Sequence, residues 1–181
     1  MTLRNVWLLL FVVLVATPAL ARDILMDDPI DEGEYDVPDR PDWLEGEVQV
    51  PESINSDDLQ EFQVAANESR FRYFVERNSI QHASDGAVRF TLVIRSSSGA
   101  ANSSYEGFRC RERLYKVYAY GGSERLTPMP GGEWERIPKD ESTDYRATLY
   151  DDLLCNLQIG EPNPVEKVFE AMRNNRKVGR D

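Results

Sequence analysis

The chain predicts an α+β domain: an antiparallel sheet of about five strands with one or two C-terminal helices packed on one face. Three observations lead there. Val88, Phe90, Leu92 and Ile94 alternate with Arg89, Thr91, Val93 and Arg95, the period-2 pattern of a strand with one core face. Extended segments follow one another across short polar connections such as Ser96–Ala100, which favours an antiparallel meander. Near the C-terminus the period changes, and Val165, Val168, Phe169 and Met172 form one helical stripe.

Taken in order, Met1–Ala21 reads as an export signal. Arg4 precedes the apolar run Val6–Ala16, and Pro18-Ala19-Leu20-Ala21 supplies the small-x-small exit for cleavage. That run is far shorter than the ~20 apolar residues a membrane-spanning helix needs. No transmembrane segment is expected in the mature chain, whose expected address is the periplasm.

The net charge of −11 is unevenly distributed. Residues 22–61 carry fifteen acidic and two basic side chains, whereas residues 62–181 carry seventeen and eighteen. Residues 22–55 therefore read as an acidic flexible leader, its aspartates interleaved with Pro29, Pro38 and Pro41 and too polar to offset the entropy of ordering. Trp43 and Leu44 are the exceptions, suited to docking on the domain. Residues 56–178 form the single globular domain.

Within it, 59–64 is undecided between a strand and a helical turn. Strands are expected over Arg70–Glu76 and at Ile80–His82. After the Asp85-Gly86 turn come Val88–Arg95, Asn102–Cys110 and Leu114–Tyr120. Pro128, Pro130, Gly131 and Gly132 make Thr127–Pro138 a turn region with Trp134 and Ile137 as plugs. Tyr145, Leu149 and Leu153, spaced by four, favour a helix over 145–154. For the last helix, Asn163 is the expected cap, Pro164 suits the first helical position, and Glu166 completes a capping-box spacing.

Cys110 and Cys155 are the only cysteines. In an exported chain they are most simply a structural disulfide, and the absence of a C-x-x-C spacing argues against a redox pair. No cofactor or metal is expected, since His82 is the only histidine and both cysteines are otherwise explained. A serine nucleophile with His82 as base lacks a G-x-S-x-G elbow, and there is no phosphate loop or dinucleotide fingerprint. Nucleic acid is excluded as a partner by the acidic balance and the compartment.

What remains is an arginine-rich sheet. Arg72, Arg89, Arg95, Tyr105, Glu106 and Arg109 are the candidate binding residues, for an anionic ligand or a cell-envelope protein. The bland reading is a solvated sheet face of paired charges. The expected function is a non-catalytic binding or envelope-accessory module. The alternative is an enzyme of unrecognised type using a polar pocket around Arg89, Tyr105, Glu106 and Arg109.

Arg70–Val75, Asp85–Ser96 and Ser98–Cys110 together resemble the cryptic neisserial protein-like family, exported proteins of Gram-negative bacteria with a domain of unknown function. Tyr105-Glu106-Gly107-x-Arg109-Cys110 is the most specific run, and the resemblance covers about residues 58–160. It implies a periplasmic address and brings no activity with it.

Overall fold

The computed structural model describes residues 43–64, 71–139 and 144–174. The expected export signal, and the expected leader as far as residue 42, lie outside the described residues.

Alternation of apolar and polar side chains builds one antiparallel sheet from eight strands rather than about five. They are β1 (Leu59–Phe62), β2 (Phe71–Glu76), β3 (Gln81–His82), β4 (Val88–Ser96), β5 (Ala101–Arg109), β6 (Leu114–Gly121), β7 (Leu126–Pro128) and β8 (Glu135–Arg136). The order is β1-β2-β4-β5-β6-β7, with β3 also on β4 and β8 also on β6. The larger number has a simple cause. β3 carries on along β4 where β2 stops, and β8 pairs with the start of β6 while β7 pairs with its end. A 3-10 turn, Arg77–Ser79, separates β2 from β3. There the Ser79 hydroxyl accepts from Thr91 N at 2.8 Å and donates to Glu76 O at 2.7 Å. It replaces the backbone acceptor that the broken strand withholds from a buried N–H.

The meander β4-β5-β6 is the centre of the sheet. Gly86, with φ of 82°, turns the chain into β4 in a conformation that a Cβ would strain. Between β5 and β6 the register slips, so that Tyr105 faces Ala119 while Glu106 faces Val117. Tyr118 is the extra residue of this bulge, and its ring is delivered to the second face of the sheet.

Both faces are covered. On the first, Val75, Val88, Phe90, Leu92 and Phe108 pack with Leu149, Leu153, Leu154, Val168, Phe169 and Met172. Full burial of side chains of this size contributes about 1.5–3 kcal/mol each. Their partners come from α1 (Tyr145–Thr148), which widens into a π-helical segment, Leu149–Leu154, and from α2 (Val165–Asn174). A two-stranded hairpin, β9 (Cys155–Asn156) with β10 (Glu161–Pro162), joins them. Asp144 caps α1 by accepting from Arg146 N at 2.8 Å. Asn163 is used differently from the expected cap: its carboxamide nitrogen donates to Leu153 O at 2.8 Å, tying the start of α2 to the π segment.

The second face corrects the expected leader boundary. Residues 43–55 form a strap along the sheet instead of belonging to a free leader. Ile54 is buried with Phe74, Val93, Tyr105, Tyr118, Ala119 and Leu126, and Val48 and Val50 pack against the same cluster. The strap is pinned by Ile54 N to Glu124 O at 2.9 Å, Leu126 N to Glu52 O at 3.3 Å, and Asn55 N to Glu76 Oε1 at 2.9 Å. Leu44, expected to dock, is exposed.

Gly121 sits where this attachment leaves β6. A Cβ there would lie 1.8 Å from Arg125 O. Gly121→Ala is expected to cost about 1–3 kcal/mol by overpacking. It should also raise amide exchange at Ile54 and Leu126, and wild-type protection at both positions would contradict the assignment.

Candidate binding site

The strap begins at an ion pair that the β3–β4 turn supplies. Asp85 follows the last extended residues of β3, and its carboxylate turns back to accept from Ala87 N at 3.0 Å, Gly46 N at 2.8 Å and Arg89 Nη2 at 2.5 Å. Both side chains of this pair are almost completely buried. Burial by itself would raise the Asp85 carboxyl, but the hydrogen bonds from Arg89, Ala87 and Gly46 outweigh it and hold it below its ordinary value. The sign follows directly. A carboxyl depressed in the folded state adds stability that is complete above its unfolded value of about 3.9 and is lost as pH falls below that value. Acid titration of the melting temperature should therefore show a decline below about pH 4 that is shallower in Asp85→Asn, with the remainder owed to other depressed carboxyls such as Glu61.

Trp43 closes over this pair. Its indole Nε1 donates to Asp85 O at 2.7 Å, and its ring carries the Arg109 guanidinium 4.0 Å from its centre. Trp134 meets Trp43 edge-on, with ring centres 5.4 Å apart. Arg109 also bonds Glu112 Oε1 through Nη2 at 2.9 Å. Alongside, Glu45 accepts from Tyr118 OH and from Lys116 Nζ, both at 2.7 Å. Burial, and then the bond to Glu45, push the Tyr118 phenol up.

An open cleft of about 420 Å³ lies beside this arrangement. Its wall is made by Trp43, by His82 and Asp85 around the β3–β4 turn, by Arg109–Glu112 leading out of β5, and by Gly160–Pro162 of the β9–β10 hairpin. The disulfide holds two of these segments together: Cys110 is bonded to Cys155, with Cα atoms 5.4 Å apart. Arg111 is exposed at the rim, and the Gly160 backbone packs closely against it.

The six candidate residues do not form one site. Arg89, Tyr105 and Arg109 lie on the strap face, with Arg89 and Tyr105 buried and only Arg109 reaching the cleft. Arg72 and Arg95 are cross-strand partners farther along that face, and both guanidiniums stack on Phe74, at 5.1 and 5.0 Å. Arg72 is also paired with Glu61 at 2.5 Å.

Glu106 is on the opposite face. There it is fully buried and accepts from Ser104 Oγ at 2.6 Å, Tyr145 OH at 3.0 Å, and Arg146 Nε and Nη2 at 2.8 and 3.0 Å. The Arg146 guanidinium lies over Tyr115 at 4.1 Å and Tyr145 at 4.6 Å. Burial opposes its charge, yet Glu106 raises its affinity for the proton above the ordinary value. Burial and the hydrogen bond to Glu135 push the Tyr115 phenol up to about 12. The sheet thus divides the polar pocket expected around Arg89, Tyr105, Glu106 and Arg109, since consecutive strand residues point to opposite faces.

Trp43, Asp85, Glu45, Tyr118 and Arg146 complete these clusters without having been candidates. Trp43 was legible as an apolar interruption of an acidic stretch. Asp85 was legible only as part of the Asp85-Gly86 turn, and Glu45, Tyr118 and Arg146 had no local signal, because their partners are 40 to 73 residues away in the chain.

The chain is thus a disulfide-tied α+β domain with an arginine-bearing cleft at one end of its strap. The chain belongs to the CNP1-like family, a family of unknown function whose model matches residues 38–173. The match takes in the whole strap. No curated protein and no solved structure matches the chain.

Proposed function

We propose that the chain is an exported, non-catalytic binding module of the cell envelope that takes an anionic ligand in the cleft of His82, Arg109 and Arg111. The observation that carries this reading is the placing of Arg109. Stacked on Trp43 and bonded by Glu112, its guanidinium is oriented before any ligand arrives, which lowers the ordering cost of an anion contact. Arg111 and His82 add donors from two further directions on the wall. The buried Cys110–Cys155 bond fits an oxidising compartment, as the proposed export to the periplasm requires.

The test uses the protein's own reporters. Beyond the Trp7 of the proposed signal, the tryptophans are Trp43 and Trp134, the two rings around Arg109. Titration of the full mature chain with citrate, inorganic phosphate and an oligoglutamate peptide at low salt should change their fluorescence saturably with at least one probe. Added salt should weaken the effect. Arg111→Ala, at an exposed rim position, should reduce the affinity about tenfold for the loss of one charged contact. No saturable change with any of the three probes, or an unaltered affinity in Arg111→Ala, would overturn the proposal.

A further inference from the structure

A second open cavity, of about 300 Å³, lies at the other end of the strap. It is lined by Gln49, Val50, Pro51 and Ser53 of the strap together with Glu76, Asn78, Ser79, Gln81 and Tyr105. We infer that this cavity is a binding site for a neutral polyhydroxylated ligand the size of a single sugar ring.

The lining chemistry selects the class. None of the lining side chains is cationic, so nothing there attracts an anion. Glu76 is the sole carboxylate, too few oxygen ligands to hold a hard metal ion. What remains are three carboxamides, the Ser53 hydroxyl and one carboxylate, since the Ser79 hydroxyl already serves Thr91 N and Glu76 O. Carboxamides both donate and accept, and a carboxylate accepts twice, which matches hydroxyl groups that do both. The apolar edges of Val50 and Pro51 offer surface for the C–H faces of a sugar. The volume is at the lower end of the ~300–1,000 Å³ of small-molecule sites, which suits one ring and not an extended chain.

One buried group of this wall, Glu76, supplies capacity. Among the described residues its carboxylate accepts one hydrogen bond, from Asn55 N to Oε1 at 2.9 Å, so most of its acceptor positions are uncommitted. Uncommitted hydrogen-bonding capacity of this kind is costly in a protein interior unless a ligand or water uses it.

The site is separate from the arginine cleft, and its test does not depend on that reading. Saturation-transfer NMR on the full mature chain with glucose, galactose and N-acetylglucosamine, with triglycine as the peptide comparator, should give signal from at least one sugar and none from triglycine. Gln49 and Gln81 are exposed, so Gln49→Ala/Gln81→Ala should melt near the wild-type temperature while weakening that sugar at least tenfold. Ser53→Ala, at an exposed strap position, provides a second reading if the double variant unfolds. Binding of triglycine alone, binding of no probe, or sugar affinity unmoved by these substitutions would each overturn the inference.

Discussion

Glu106→Gln is expected to destabilise the fold by about 3–5 kcal/mol, because it leaves the Arg146 guanidinium beneath α1 without its carboxylate. The glutamine fills the same space and retains an acceptor for Ser104 and Tyr145. The loss is therefore one of charge compensation in a buried position, not of volume. Denaturant unfolding should show a lower midpoint with an unchanged slope. The informative comparison is Glu106→Gln combined with Arg146→Met. Replacing both ions with groups of similar shape is often nearly neutral. The double variant should recover most of the loss, giving a coupling energy well above the ~0.5 kcal/mol that independent sites show. If the double variant is as unstable as the sum of the two single variants, Glu106 and Arg146 do not act as a pair.

Loss of the Cys110–Cys155 bond is the second large effect, at about 4 kcal/mol for a separation of 45 residues by the chain-entropy estimate. The bond closes a loop that contains β6, β7, β8, α1 and the π segment, so its removal mainly enlarges the unfolded ensemble. Cys110→Ala/Cys155→Ala should unfold at lower denaturant than the oxidised wild type. Reduced wild type should behave as the double variant does. The cleft offers an independent readout, since Cys110 leads into its Arg111 wall and Cys155 begins the hairpin that faces it. Arg113, held by Asp151 through two bonds and by Ile137 O at 3.2 Å, spans the same two regions and should keep the fold from separating when the disulfide is cut. A loss below about 1 kcal/mol would show that such contacts already restrict the chain as far as the disulfide does.

Much of the first face was legible from local pattern. The Val88–Ile94 alternation marks residues that are buried in the structure, with Ile94 partly so, and the Val165–Met172 stripe packs on the sheet as its period requires. The π segment was readable only as a helix, because spacings of four at Tyr145, Leu149 and Leu153 do not distinguish α from π winding. β7 and β8 were hidden by proline and glycine. Each is only two or three residues long, and pairing with β6 holds it in place without a strong preference of its own.

The candidate site was less legible. Six polar residues could be placed on strands, and alternation already separated Tyr105 from Glu106. Which of them reach solvent depends on what covers the sheet. The strap has only a short alternation, Val48 and Val50 against Glu47 and Gln49, too brief within an acidic stretch to announce that it will pack. It is retained by Trp43, Ile54 and a few bonds to distant turns.

The sequence by itself determined the α+β class, the inward row of β4, the cysteine pair and the charge division between leader and domain. These depend on side-chain period, composition and count, which are properties of neighbouring residues. Only the tertiary structure decided that the arginine face is roofed, that Glu106 is spent on Arg146, and that Arg109 and Arg111 share a cleft with His82. Those outcomes depend on long-range pairing, where burial turns an exposed charge into one that must find its partner.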